Sequence, residues 1–240
     1  MVARAACLLS TPRYALYYAP ASDSALWRFG CATLGHDAFR GEDVPFAVPS
    51  GCDGDLWPQL TAEPSRYGFH GTLKAPFTLA NGRSEGQLRA FTHQIAAGLT
   101  AVPLAGLTVT ALGRFIALTP SEPSPALQKL AFDLVQAFEP FRAPLGAADL
   151  ERRLASPLTP AQRAYLEAYG YPYVGDAFRF HMTLTGSLPP DIVAGTAAAL
   201  AAAYAAAVPV QPAAIDRIAL FRQPDRESRF HLLDSFALGR

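Results

Sequence analysis

Most of what would mark a membrane, secreted or nucleic-acid-binding chain is missing here. Lysine is scarce, and twenty Lys and Arg residues are balanced by twenty Asp and Glu, for a formal net charge of zero. Affinity for a long polyanion comes from many phosphate contacts and counterion release, and the sequence offers no run of cations for that purpose. The same balance gives no general attraction to an anionic membrane. Three cysteines, Cys7, Cys31 and Cys52, are too few and too scattered for a disulfide framework or a Cys-rich metal site, and read as ordinary thiols. There is no Gly-rich phosphate loop. The longest apolar stretch, "DIVAGTAAALAAAYAAAV", is mostly alanine and falls short of the roughly 20 strongly apolar residues that a span needs. Alanine is the best helix former, so this stretch predicts a helix lying close against a sheet. The opening "MVARAACLLSTPR" lacks the hydrophobic region and cleavage pattern of a signal peptide. Residues 1–12 are expected to be a loose lead-in and residues 13–240 a single cytoplasmic domain.

What remains suits a globular protein. The chain has 240 residues, of which 50% are hydrophobic and 17% charged, enough to bury a sizeable core. "RYALYYAP" reads as a strand ending at proline. Residues 22–35 read as a helix capped by Ser22 or Ser24, with Gly35 just past its end. From Asp37 to Ser65 no periodicity is visible, and a long irregular rim or lid is expected. "SEGQLRAFTHQIAAGL" opens with Ser84 and Gln87 in capping-box register and carries Leu88, Phe91, Ile95 and Leu99 at helical spacing. Two short strands around Gly113 follow. A helix over 124–139 has Ser124 as cap and Pro125 first. "LTPAQRAYLEAYG" repeats that grammar from Thr159 to Gly170, and a last hairpin turns near residues 224–227.

Two segments stand out from this order. "RYGFHGTLKAPF" and "FRFHMTLTGSL" both contain Phe-His-x-Thr-Leu, and each opens the sequence strand, helix, strand pair. About 0.3 His-x-Thr pairs are expected by chance in this composition, so one copy would carry little weight. Two copies with the same flanks and the same following elements point to an α+β fold of two pseudo-symmetric lobes. The recurring hairpins favour antiparallel sheets facing across a central cleft, with helices outside.

Strand parity sorts each copy cleanly. Alternate residues share a face, so Arg66, Gly68, His70, Thr72 and Lys74 point one way, and Phe69, Gly71 and Leu73 the other. In the second copy Arg179, His181, Thr183 and Thr185 oppose Phe180, Met182 and Leu184. The polar face thus combines imidazole, hydroxyl and cation. One neutral imidazole can take a proton from water while a protonated one supplies the leaving oxygen. The Thr72 and Thr183 hydroxyls can donate to an anionic oxygen, and Arg66, Lys74 and Arg179 can offset growing negative charge. Such a set suits the opening of a phosphodiester. Which histidine is acid and which is base stays open at this level.

The paired motifs resemble the 2H phosphoesterase superfamily, whose signature is two His-x-Thr motifs on facing lobes. More narrowly, "YALYYAP", "RYGFHGTLKAPF" and "FRFHMTLTG" resemble the branch associated with bacterial phosphonate degradation. The resemblance implies a bilobal fold, a catalytic pair His70 and His181 assisted by Thr72 and Thr183, and action without metal or other cofactor. It also implies a small phosphorylated partner, with no long nucleic acid and no membrane: a ribose-type cyclic phosphate that bears a second phosphate. Two other readings remain, an RNA 2′,3′-cyclic phosphodiesterase or RNA-end ligase, and a phospho-ligand binding module without turnover.

The other histidines are expected to be structural. His231 is followed by Leu233 where a hydroxyl would be needed, His93 lies off the apolar stripe of its helix, and His36 sits in a turn. Tyr14, Tyr17 and Tyr18 are in reach of the cleft, although aromatics in a first strand are more often core.

Overall fold

The structure is a computed structural model, which describes residues 11–209 and 213–239. Residues 1–10 of the expected lead-in, Cys7 among them, lie outside the described residues. The chain opens with strand β1 (Arg13–Tyr18) and helix α1 (Ala25–Leu34). The Ser24 hydroxyl accepts from the Trp27 amide, and Gly35 at φ 68° ends α1 in the left-handed region. The segment expected to be irregular contains a small ribbon, β2 (His36–Asp37) with β3 (Glu42–Asp43), and a helix α2 (Trp57–Ser65). Trp57 is wholly buried and donates from Nε1 to the Thr33 carbonyl at 3.0 Å, which ties α2 to α1.

The first motif strand is β4 (Gly71–Thr78). It leads into α3 (Glu85–Ala97), β5 (Val102–Leu104), and the hairpin of β6 (Leu107–Leu112) and β7 (Phe115–Pro120). The predicted capping box of Ser84 and Gln87 is present at the start of α3. Next come α4 (Pro125–Ala137), α5 (Ala147–Leu154) and α6 (Pro160–Tyr169), the last with a second capping box, between Thr159 and Gln162. The second motif strand, β8 (Met182–Thr183), is very short. It is followed by the Ala-rich α7 (Val193–Ala207), β9 (Ala213–Ile215), β10 (Arg217–Gln223) and β11 (His231–Ala237). Among the described residues, no helix is long and apolar enough to cross a membrane.

Seven strands join in the order β11-β10-β1-β4-β8-β7-β6, with every pairing antiparallel. The four-stranded and three-stranded parts are the two lobes, and β4 meets β8 through one residue pair, Gly71↔Met182. Gly71 is required there, because a Cβ at that position would fall 2.4 Å from Cζ of Phe180. Each motif strand is followed by a helix and then by a hairpin in the opposite lobe. The hairpin after β4 pairs with β8 through β7, and the hairpin after β8 pairs through β10 with β1, the neighbour of β4. This exchange locks the lobes together. Helix α3 packs on β10 and β11, α4 on β4, and α7 on β6 and β7.

The core bears out the parity of the apolar faces. Phe69, Leu73, Phe180, Met182 and Leu184 are all buried, together with Trp27, Phe138, Phe221 and Phe230. Burying side chains of this size contributes roughly 1.5–3 kcal/mol each, so both motif strands are anchored from behind.

Candidate active site

The pair Gly71↔Met182 brings the two motifs together by construction. One step along this antiparallel register from either residue, Thr72 lies beside His181 and Thr183 beside His70. Gly71 and Met182 face away from the cleft, so these four polar residues share its side. All four line one cavity of about 430 Å³, a size suited to a small ligand.

Both imidazoles are held in the same way. His70 Nδ1 lies 2.8 Å from the Gly68 carbonyl, and His181 Nδ1 lies 2.8 Å from the Arg179 carbonyl. A carbonyl only accepts, so Nδ1 carries the proton in each ring and Nε2 is left for the cleft. The Gly68 backbone, at φ 74°, takes the left-handed turn that aims its carbonyl at His70. Thr72 Oγ1 lies 3.3 Å from His70 Nε2, so hydroxyl and imidazole converge on one point.

Their surroundings differ. Tyr17 stacks on His70 with ring centroids 3.7 Å apart, and Phe221 and Tyr67 stand within 6.4 Å and 6.1 Å. Burial in this aromatic bed is the main reason that the His70 pKa is pushed down to about 4. The charge of His181 adds to the effect, and the Gly68 carbonyl opposes it. His181 has one aromatic neighbour, Phe115, at 5.6 Å; both imidazoles are half-buried, so the contrast lies in the aromatic bed around His70.

Of the expected cations, Lys74 and Arg66 stand away from this point, while Arg179 lines a recess with Thr72 and His181. Lys74 was placed beside Thr72 by parity, yet the register against β1 slips between Thr72 and Lys74, and that bulge turns the lysine away. Lys74 is buried against α4, where Nζ donates to the Val135 carbonyl at 2.9 Å and to Glu139 at 2.6 Å. Arg142 holds the same carboxylate. Arg66 does not lie on the strand at all. It follows α2, is exposed, and donates to the Arg226 carbonyl. Arg179 is exposed and shares with His181 an adjoining, mostly apolar recess of about 660 Å³. The cations that do line the cavity are Arg13, Arg152 and Arg153, and sequence parity pointed to none of them.

Among the three early tyrosines, Tyr17 reaches the cleft. Tyr14 donates to Glu85 at 3.0 Å, and Tyr18 packs near Phe180. His36 is buried by the β2–β3 ribbon with Nδ1 on the Glu42 carbonyl. His231 pairs with Arg222 in the last hairpin, and His93 packs near Phe236. Among the described residues, no three or more His, Cys, Asp or Glu side chains are grouped as metal ligands.

Comparison with known proteins places this chain in a family. It belongs to the family described as "Protein of unknown function (DUF1045)", whose model matches residues 72–231, a span that begins at Thr72 of the first motif and contains the whole of the second. It is similar to two curated bacterial proteins, each called ribose 1,5-bisphosphate phosphokinase PhnN. The one from Janthinobacterium sp. (strain Marseille) is 37% identical over 217 residues, 89% of this chain and 48% of that protein. The one from Laribacter hongkongensis (strain HLHK9) is 34% identical over 228 residues, 92% of this chain and 50% of that protein. The chain therefore spans about half the length of these relatives. Among solved structures it is similar to E. coli LigT complexed with 3′-AMP, at 15% identity and TM-score 0.43, covering 96% of this chain and 99% of that one. A second is TT0787 of Thermus thermophilus, at 15% identity and TM-score 0.42, covering 94% of this chain and 97% of that one.

Proposed function

We propose that this protein is a cytoplasmic phosphodiesterase that opens a cyclic phosphate to a monoester by two-histidine acid–base catalysis. The observation that carries the reading is the convergence of His70, Thr72, His181 and Thr183 on one cavity, with both Nδ1 atoms tied to backbone carbonyls and the Thr72 hydroxyl beside His70 Nε2. His70, kept neutral by burial, acts as the base: its Nε2 takes a proton from water as the oxygen attacks phosphorus. His181, which lacks the aromatic bed of His70, acts as the acid: its Nε2 proton passes to the departing ring oxygen as the P–O bond breaks. Thr72 and Thr183 donate to the non-bridging oxygens, whose charge grows in the transition state. One water is consumed, one P–O bond is exchanged for another, and the product is a phosphate monoester with a free hydroxyl. The two protons are exchanged with solvent between turnovers.

For the substrate, the similarity to relatives named for ribose 1,5-bisphosphate supports a ribose-type cyclic phosphate with a phosphate at the 5-position. Opening a 1,2-cyclic ester of that sugar at the O2 side yields ribose 1,5-bisphosphate, the compound in the relatives' name. A formal net charge of zero argues against a long polyanion. The test is a panel of cyclic phosphates assayed with and without chelator. Turnover of the 5-phosphorylated ribose cyclic phosphate, unaffected by chelator and faster than that of RNA 2′,3′-cyclic ends, is expected. Preference for oligonucleotide ends that grows with chain length would overturn the substrate. Dependence on added zinc would overturn the mechanism.

A further inference from the structure

The positive charge in the cleft comes from a place that the motifs do not mark. Arg13, at the start of β1, and Arg152 and Arg153, near the end of α5, line the same cavity as the two histidines. Arg152 is committed to Asp149, and that carboxylate also takes Arg226 from the β10–β11 turn. Helix α5 has no buried residue, and this shared carboxylate is what fastens it beside the cleft.

Arg13 and Arg153 are in a different position. Arg13 donates from Nε to the Gln223 side chain at 2.8 Å, a neutral partner, and stands 5.4 Å from the Phe230 ring centre. Arg153 stands 5.0 Å from the ring centre of Tyr171, itself a cavity residue. Its Nε is buried and has no hydrogen-bond partner. Among the described residues, neither arginine forms a salt bridge. Burial holds both guanidinium groups below their ordinary pKa, and neighbouring Arg226 and Arg152 add to the effect on Arg13 and Arg153 respectively. Asp149 acts on both in the opposite sense but is itself engaged by Arg152 and Arg226. A half-buried cation with no ion-pair partner of its own is costly, and such groups concentrate where an anion is to be received.

We propose that Arg153 and Arg13, with Arg152 at the rim, form an anion subsite at the α5 end of the cleft. This subsite receives a second phosphate group while the cyclic phosphate lies between His70 and His181. The inference rests on the reading above for the position of the reacting phosphate, and adds the residues that select a doubly phosphorylated sugar. Guanidinium is suited to the task because its planar fork meets two phosphate oxygens at once, whereas lysine offers a point charge. The Tyr171 ring offers Arg153 a cation–π contact, which consumes none of its hydrogen-bond donors.

Calorimetric titration with uncleaved ligands tests the subsite apart from turnover. Ribose 1,5-bisphosphate should bind the 240-residue chain on the order of 10- to 100-fold tighter than ribose 1-phosphate. In Arg153→Gln and Arg13→Gln that ratio should collapse towards one, because ribose 1,5-bisphosphate loses far more affinity than ribose 1-phosphate. Arg153→Lys should restore only part of it. Arg152→Gln, at an exposed position, is the variant to read where the other two fail to fold, and should lower the ratio severalfold. Equal binding of the two sugars by the wild type, or an unchanged ratio in the arginine variants, overturns the subsite even if cyclic phosphates are hydrolysed. A ratio that depends on these arginines in a protein without turnover keeps the subsite and overturns the hydrolase.

Discussion

His70 on the four-stranded lobe and His181 on the three-stranded lobe are fixed by the same device, an Nδ1–H given to the carbonyl two residues earlier at 2.8 Å. Around that shared pose the lobes diverge: one ring is stacked beneath Tyr17 among aromatics, while the other has Phe115 alone beside it. Duplication therefore accounts for the geometry of the pair, and the proposed division of labour rests on the difference in their aromatic surroundings. Two identical environments would give two histidines of equal basicity, and an acid–base pair works better when its members are pushed apart.

The strongest way to break this comparison is to remove either ring. His70→Ala and His181→Ala should each lower kcat on a cyclic phosphate by about 10³-fold, and the double variant should be little worse, because the two act as a unit. Additive losses would mean that they work separately. Next in size, Thr72→Val and Thr183→Val should cost about 10- to 100-fold in kcat, as expected when a donor to a developing oxyanion is lost. Steady-state kinetics on folded variants would show this, and an effect confined to KM would assign the hydroxyls to ground-state binding.

The comparison is sharpened by Tyr17→Leu. The base must be neutral, so activity should fall on acidification near pH 4, where His70 gains its proton. Removing the stacked ring admits water and lets the His70 pKa rise, so the acidic limb of the kcat/KM profile should move up in pH. An unmoved limb would show that Tyr17 does not set the basicity of His70. The smallest effect is on stability. His70 has a folded pKa below its unfolded value of 6.5, so the unfolded chain binds more protons between those limits. Its contribution to stability is present above pH 6.5 and is lost as pH falls towards 4. Thermal melts across that window should show a decline that is shallower in His70→Asn.

Much of this molecule could be read from its residues, because its signals are local. Ser24 and Gly35, the capping box at Ser84, the Thr159 cap and the apolar faces of both motif strands each act over a few residues and appear where expected. What escaped depends on distance. The slip that turns Lys74 towards Glu139 is a bulge against β1, and no parity count along one strand can detect it. Helix α2 hid behind Pro58 and Pro64, and its anchor Trp57 finds its partner 24 residues back on Thr33. Helix α5 carries Leu150 and Leu154 one turn apart, yet both are exposed and none of its residues is buried, so its short apolar pair marks no core contact. Its arginines reach the cleft because Asp149 is held by Arg226, far along the chain. One signal was available: Arg152 and Arg153 are adjacent in a chain that otherwise disperses its cations.

The division of roles is tested most directly by changing the leaving group. A p-nitrophenyl phosphodiester departs without a proton, so it dispenses with the acid but still needs the base. The kcat/KM of His181→Ala should be within about 10-fold of wild type on this substrate while remaining about 10³-fold down on a cyclic sugar phosphate. His70→Ala should be crippled on both. The opposite pattern, with His70→Ala rescued by the activated leaving group and His181→Ala not, would contradict the assignment drawn from their surroundings.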